Sequence, residues 1–267
     1  MLLLKGILFG MANLIPGVSG GSVALITKVY EELIHALDKV IKAVFSLATF
    51  NFDPLKTLPY KFIVIYGLGI LSGLAVFILL STAILGDLRA GFYSFLTGVI
   101  LYAAYLLQKP LKHSVWNWFL LLLGALISLG VFYFSLELNP SLMLYFLLGI
   151  LAISTLILPG VSGAFILLVF GQYENFLNML RNIPENISFL FMFGIGGIIG
   201  LVVTAEILNK VLKKYYDKTL FFLIGLMVGG VVAPVNEVVL ALQQDYSYVG
   251  VIAGFVIGLL LVYTYDA

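Results

Sequence analysis

The sequence predicts an all-α polytopic membrane protein made of two inverted-topology repeats, each with one re-entrant helical hairpin and three transmembrane helices. Three observations lead to this prediction: an apolar composition, a one-sided distribution of positive charges and an internal repeat. Of the 267 residues, 62% are hydrophobic and 10% are charged, with a mean hydropathy of +1.15. Soluble chains are about 45–50% apolar and about 25% charged, so we do not expect a soluble enzyme.

Composition also limits the chemistry. The formal net charge of +1 provides no basic field, so we expect no nucleic-acid partner. The chain has no cysteine and only two histidines, His35 and His113, so we expect no disulfide, no metal site and no resident cofactor.

Six apolar segments approach or exceed the length of roughly 20 residues that a membrane-spanning helix needs. They are 62–86, 92–107, 117–136, 187–208, 220–236 and 248–264. Two further apolar regions, 2–37 and 142–180, are each interrupted by a Pro-Gly break. Each is too long for one crossing and divides into two arms of about 14–20 residues, which predicts a re-entrant hairpin that enters and leaves on one side.

Positive charges favour this arrangement, because cytoplasmic loops are enriched in Lys and Arg. With two hairpins and six crossings, eleven lysines share one side, Arg89 and Arg181 lie on the other, and Lys28 lies within a hairpin arm. If each interrupted region crossed once instead, the positive charges would divide six to seven. The bias therefore predicts a multi-pass protein of the plasma (cytoplasmic) membrane with both termini in the cytoplasm.

The two breaks belong to an internal repeat. Pro16 to Gly20 align with Pro159 to Gly163, and the match continues at the Tyr-Glu pairs that begin at Tyr30 and Tyr173. We therefore divide the chain into repeats 1–138 and 139–267. Three crossings is an odd number, so the second repeat is inverted, a pattern typical of secondary transporters with binding sites at broken helices.

The breaks are the predicted substrate-binding site. Irregular backbone at membrane depth survives only where it lines a cavity or is buried in protein. The first N–H groups of each new half-helix can bind an anion, and serine hydroxyls and an asparagine amide can add donors. The alternative is that the breaks are packing kinks. The predicted residues are Asn13, Pro16, Gly17, Val18, Ser19, Gly20, Gly21, Ser22, Pro159, Gly160, Val161, Ser162 and Gly163.

Ionisable residues near the apolar segments are candidates for capturing an anionic group or for coupling transport to an ion. They are Lys28, Glu31, Glu174, Arg89, Arg181 and Glu206. Simpler interpretations stay open: Lys28 paired with a nearby glutamate at the interface, Glu206 facing Lys210, and arginines that cap helices.

Two other patterns are not assigned to chemistry. The spacing of Gly69 with Gly73, and of Gly196 with Gly200, favours helix packing. The segment 17–21 matches the G-x-S-x-G pattern of a hydrolase, but it lies between apolar helices and lacks a histidine base nearby. We therefore predict no catalytic residue.

Segments 10–22 and 29–34, with their second copies at 158–163 and 171–174, resemble the PopT-type polyprenyl-phosphate translocases. The resemblance covers essentially the whole chain. It implies a transporter that moves undecaprenyl phosphate, or a related polyprenyl phosphate, from the outer to the cytoplasmic leaflet to recycle the lipid carrier of envelope synthesis. It departs at Lys28, where a glycine is expected and where the second copy has Gly171.

Two alternative functions remain. Undecaprenyl-pyrophosphate phosphatases share the Pro-Gly-x-Ser motif, but Gly20 and Gly163 stand where that enzyme family has an arginine. A small-anion secondary transporter fits the same architecture. For a lipid phosphate moving inward, the negative-inside potential opposes transport, so coupling to protons or another cation is expected, with Glu31, Glu174 or Glu206 as carriers.

Overall fold

The computed structural model describes residues 1–15, 18–47, 50–85, 88–134, 136, 138–243 and 248–266. All regular elements within these ranges are α-helices, which confirms the predicted all-α class. The helices are α1 (Leu2–Leu14), α2 (Gly20–Ile26), α3 (Tyr30–Leu47), α4 (Asp53–Lys56), α5 (Tyr60–Leu85), α6 (Arg89–Gln108), α7 (Val115–Tyr133), α8 (Leu142–Ser154), α9 (Gly163–Val169), α10 (Tyr173–Arg181), α11 (Ile183–Lys214), α12 (Tyr216–Gly229), α13 (Val232–Leu242) and α14 (Tyr248–Asp266).

Within the described ranges, five stretches are long and apolar enough to cross a membrane. They are α5, α6, α7, α11 and the continuous stretch of α12 and α13. These stretches overlap five of the six predicted crossings and confirm a polytopic membrane protein. The sixth predicted crossing, 248–264, corresponds to α14, which is a shorter apolar helix.

Each interrupted region contains three helices where the sequence predicted two arms. The first region consists of α1, α2 and α3, and the second of α8, α9 and α10. The helices that follow the Pro-Gly breaks, α2 and α9, have only seven residues each. A second break, which the sequence analysis did not predict, therefore follows each of them.

This second break is the same C-terminal turn in both halves. Lys28 N–H donates to Leu25 O (3.0 Å), and the next N–H, of Val29, reaches back five residues to Ala24 (3.0 Å). Gly171 makes the equivalent bond to Leu168 in the second half (2.9 Å). This pair of hydrogen bonds, one spanning three residues and one spanning five, is a Schellman motif, whose central residue adopts a left-handed conformation.

Lys28 adopts the left-handed backbone conformation that a glycine normally provides at this position of the turn. Its φ is 56°, and that of Gly171 is 65°. A left-handed conformation costs a non-glycine residue roughly 1–2 kcal/mol because Cβ crowds the following carbonyl. The departure from the family pattern at Lys28 therefore leaves the backbone unchanged and adds a long cationic side chain to it.

Four close helix pairs build the molecule. Within the halves, α1 packs along α5 and α8 packs along α11. Between the halves, α6 packs along α14 and α7 packs along α12. The largest buried cluster also joins the halves, with Leu25 and Tyr30 from the first and Ile157, Phe221 and Ile224 from the second.

Glycines allow these pairs to approach at backbone distance. Gly69 and Gly73 of α5 lie against the backbone of α1, and Gly196 and Gly200 of α11 lie against the backbone of α8. The packing role predicted for both glycine pairs is confirmed. In an apolar solvent such close contact between small residues is a main source of helix association.

We expect Gly196→Ala to destabilise the protein by about 1–3 kcal/mol, because its methyl group would collide with the Phe146 carbonyl of α8. The matched control is Gly194→Ala, two residues away on α11, where a methyl group meets open space. That change should be neutral or stabilise by up to about 1 kcal/mol. Unfolding of both purified variants in detergent measures the difference, and equal stabilities would contradict the packing role.

Candidate functional site

The residues that follow the first Pro-Gly break contact the second break in the structure. We call residues 18–22 the first tip and residues 157–160 the second tip. Ser19 Oγ donates to the carbonyl of Leu158 (2.7 Å), and the N–H of Gly160 donates to Ser22 Oγ (2.9 Å). Ser19 and Ser22 are almost completely buried, with exposed fractions of 4% and 3%. The tips thus hold each other through hydroxyl-to-backbone hydrogen bonds away from solvent.

Two more hydroxyl groups hold the second tip. Tyr30 OH, at the start of α3, donates to Ile157 O (2.9 Å). Ser128 Oγ, on α7, donates to Gly160 O (2.9 Å). The polar backbone of the second tip is therefore satisfied by side chains of the first half of the chain, as irregular backbone in an apolar environment requires.

Two tip glycines allow this close contact. Gly160 has a φ of 80° and lies against the backbone of Leu226 and Met227 on α12. A side chain at Gly21 would collide with the backbone of Leu158 and Pro159. The sequence pattern of small residues at the breaks follows from this contact between tips.

Two of the hydroxyl groups predicted to bind an anion take part in the tip contact in this structure. Ser19 and Ser162 stand at the N-cap positions of α2 and α9, yet neither side chain caps its helix. The Ser19 hydroxyl bonds to the opposite tip, and Ser22 Oγ accepts from it. In this structure the serine hydroxyls of the first tip therefore bind the backbone of the second tip.

The other predicted tip residues surround this contact. Asn13 Nδ2 donates to the carbonyl of Phe9 within α1 (2.9 Å), and Gly20 lies against the Asn13 side chain. Val18 is buried. Pro16 and Gly17 lie outside the described residues. Pro159 is part of the second tip, and Val161, Ser162 and Gly163 follow that tip directly in the chain.

Two cavities lie at different levels of α12, on either side of the tip contact. The larger, which we call the basal cavity, has a volume of about 710 Å³ and is lined by α12 residues from Tyr216 to Ile224. The smaller, the tip void, has about 20 Å³ and adjoins Gly230 just after α12. Gly160 packs on α12 between them, at Leu226. The tip void is about the size of one water molecule.

The basal cavity contains two of the predicted ionisable residues and three that the prediction missed. Lys28 and Glu31 line it beside the α2–α3 turn. Lys109, Tyr216 and Asp217 complete its polar lining, and Tyr216 OH donates to Glu31 Oε1 (2.7 Å). These residues come from the ends of distant helices, so no local sequence pattern could have grouped them.

The other candidate ionisable residues are dispersed. Glu206 forms an exposed ion pair with Lys210 (2.6 Å), as the simpler interpretation had it. Glu174 is exposed in the first turn of α10. Nothing is described of the Arg181 side chain.

Arg89 is paired with an acid that the sequence analysis did not consider. Its Nε donates to Glu237 Oε2 on α13 (2.9 Å), and both side chains are largely buried. Among the described residues, no group of three or more metal-binding side chains is present.

Comparisons with known proteins agree with the resemblance found in the sequence. The model of a family described as "VCA0040-like: Undecaprenyl phosphate translocase-like" matches residues 9–249. A protein of Vibrio cholerae serotype O1 named "Polyprenyl-phosphate transporter" is 32% identical over 234 residues, which cover 85% of this chain and 74% of the relative. A Staphylococcus aureus protein of the same name is 28% identical over 276 residues, covering 97% of this chain and 94% of the relative.

No solved structure gives a significant match to the chain. Both relatives are named as transporters and not as enzymes, in agreement with the prediction of a transporter. The family match spans most of the sequence and includes the second tip and most of the first interrupted region. The chain therefore belongs to the undecaprenyl phosphate translocase-like family.

Proposed function

We propose that the chain carries polyprenyl monophosphate from the outer to the cytoplasmic leaflet of the plasma membrane, returning the lipid carrier of envelope synthesis for reuse. The family and the two relatives named as polyprenyl-phosphate transporters support the substrate. The observation that carries the mechanism is the hydrogen-bonded contact between the two tips, which lies at a level of α12 between the large cavity and the very small one.

The proposed architecture is a pair of inverted repeats, each with a re-entrant unit that returns to its own side. The distribution of positive charges supports it, since only this arrangement places eleven lysines on one side. Equivalent pairing of α1 with α5 and of α8 with α11, and identical turns after α2 and α9, also support it. Both termini then lie in the cytoplasm.

In the proposed mechanism the tip contact is the closed barrier of an alternating-access cycle. The basal cavity opens beside Lys28 and Lys109, on the lysine-rich side that we assign to the cytoplasm. The observed state is then open inward. When the tips separate, the small and hydroxyl-bearing residues around both breaks become available to the phosphate, while the prenyl chain stays in lipid.

Transport in this direction needs a driving force. Moving an anion inward against a negative-inside potential costs about 2.3 kcal/mol per charge per 100 mV. We propose coupling to protons or to another cation, with Glu31, Glu174 and Glu206 as candidate carriers. Glu31 is the carboxylate among them that lines the basal cavity.

Labelling of single introduced cysteines tests the topology. Because the sequence contains no cysteine, each introduced cysteine is the sole thiol that can react. Asn139→Cys and Glu185→Cys flank the second interrupted region at exposed positions. Both should react with a membrane-impermeant maleimide added outside intact cells, because a re-entrant unit returns to its own side. Lys112→Cys, beyond α7, should react only after the membrane is opened. Labelling of residues 139 and 185 from opposite sides would refute the re-entrant unit.

Transport in proteoliposomes tests the function. Leaflet-resolved assays should show that the purified protein moves a polyprenyl monophosphate between leaflets, and no movement above protein-free vesicles would refute the proposal. Ser22→Ala leaves the half-buried Gly160 N–H without its partner, a loss of about 1–3 kcal/mol that weakens the tip contact. In that background Ser162→Cys should react at least about fivefold faster with a thiol reagent.

Ser94→Ala is the matched control for Ser22→Ala. Ser94 is also a buried serine, but its hydroxyl bonds to Val251 O between α6 and α14. It should leave the reactivity of the cysteine at position 162 unchanged. Equal reactivity in the two backgrounds would show that the tip contact is not the barrier.

The same proteoliposomes test coupling. We expect the rate of inward transport to rise when a pH gradient or a cation gradient is imposed and to fall under a negative-inside potential, because the phosphate is anionic. Glu31→Gln should weaken the response to the gradient more than Glu206→Gln, whose carboxylate is paired with Lys210. Transport that ignores both gradients and the potential would exclude coupling.

A further inference from the structure

We propose that the basal cavity is a binding site for a phosphate monoester attached to an apolar chain, with the phosphate at Lys28 and Lys109. This inference rests on the proposed function and deepens it. It places the substrate-binding site that opens to the lysine-rich side of the protein away from the tips. The sequence pattern indicated Lys28 as a candidate for anion capture, but it indicated neither Lys109 nor the cavity that the two lysines share.

The cavity has room for a ligand much larger than an ion. Its volume of about 710 Å³ lies within the range of about 300–1,000 Å³ that small-molecule sites occupy. A bare phosphate would fill a small part of this space. The rest of the wall is apolar, with Leu106 and Leu107 from α6, Leu220 and Ile224 from α12, and Val262 from α14. Such a wall fits a hydrocarbon chain.

The mouth of the cavity supplies cations for the phosphate. Lys28 and Lys109 are exposed there, and Lys109 Nζ lies 4.5 Å from the centroid of the Tyr105 ring. Two acids also line the cavity, and one of them, Glu31, accepts a hydrogen bond from Tyr216. Further lysines stand in the adjoining segments: Lys112, Lys213, Lys214 and Lys218. Counted over residues 28–32, 109–112 and 213–218, the segments that carry these lysines have six lysines against three acids, which include Glu32, so they have an excess of positive charge.

The backbone at Lys28 is the second, independent observation. The left-handed turn favours glycine, and the equivalent turn of the second half has Gly171. Lysine at this position is disfavoured by the backbone and lies in the lining of the basal cavity. Strained residues concentrate at functional sites, where their side chain is needed. We attribute the lysine to its charge.

The cavity is also connected to the tips. Tyr30 lines the cavity, is 2% exposed, and donates its hydroxyl hydrogen bond to Ile157 O in the second tip. The neighbouring carbonyl, of Leu158, accepts from Ser19 of the first tip. A ligand that displaces the Tyr30 ring would therefore act directly on the tip contact.

Binding to the purified full-length protein in nanodiscs tests the site with three probes: undecaprenyl monophosphate, undecaprenol and inorganic phosphate. The monophosphate should bind, and the other two should compete poorly because each has only half of the required chemistry. Lys28→Gly and Lys109→Gln should each weaken binding about tenfold, as expected for loss of a charged hydrogen bond. Lys56→Gln, on exposed α4, is the control and should bind as wild type.

Stability distinguishes lost recognition from misfolding. Lys28→Gly relieves the left-handed strain, so its melting temperature should equal or exceed that of wild type while its affinity falls. Wild-type affinity in both lysine variants would overturn the site. Competition by inorganic phosphate as strong as that by the lipid would show a free-phosphate site and overturn the lipid assignment.

The transport assay separates this inference from the proposed function. If the lysine variants transport polyprenyl phosphate at the wild-type rate, the cavity is not on the path and the inference fails, while the function stands. If the wild-type protein binds the lipid as described but moves none, the function fails while the binding site stands.

Discussion

The second tip depends on hydroxyl groups from the other half of the chain. Its carbonyls at Ile157, Leu158 and Gly160 and its N–H at Gly160 lie in irregular backbone between α8 and α9. Unsatisfied backbone groups are costly in an apolar environment, so a Pro-Gly break of this kind can exist only beside suitable donors and acceptors. The two halves are therefore bound to each other through their interruptions as well as through their apolar surfaces.

Sequence reasoning predicted the membrane class and the second Pro-Gly break because each leaves a local signal: an apolar composition, and a Pro-Gly dipeptide inside an otherwise apolar stretch. The turn after α2 was not predicted, because Lys28 stands where a glycine would have indicated it. The equivalent turn of the second half does contain a glycine, Gly171. Because Gly171 aligns with Lys28, the alignment of the halves could have indicated the turn after α2 as well.

The basal cavity and the Arg89–Glu237 pair could not have been predicted in this way. The cavity gathers the ends of α2, α6 and α12, and the ion pair joins residues 148 positions apart in the chain. Such groupings depend on which helices pack together. That packing depends in turn on glycines such as Gly124 and Gly225, which bring α7 and α12 into backbone contact, and single-sequence patterns do not identify partners at this range.

The depth of the basal cavity has an electrical consequence. Its lining follows α12 from Tyr216 to Ile224, a rise of about 12 Å, against roughly 30 Å for the hydrocarbon core. In the proposed topology, water and ions that enter the cavity from the lysine-rich side bring the potential of that compartment close to the tip contact. The membrane field is then concentrated across the remaining thickness, beginning at Gly160 and Leu226. The voltage dependence of transport would therefore reside in the step that opens the tips and not in movement through the cavity.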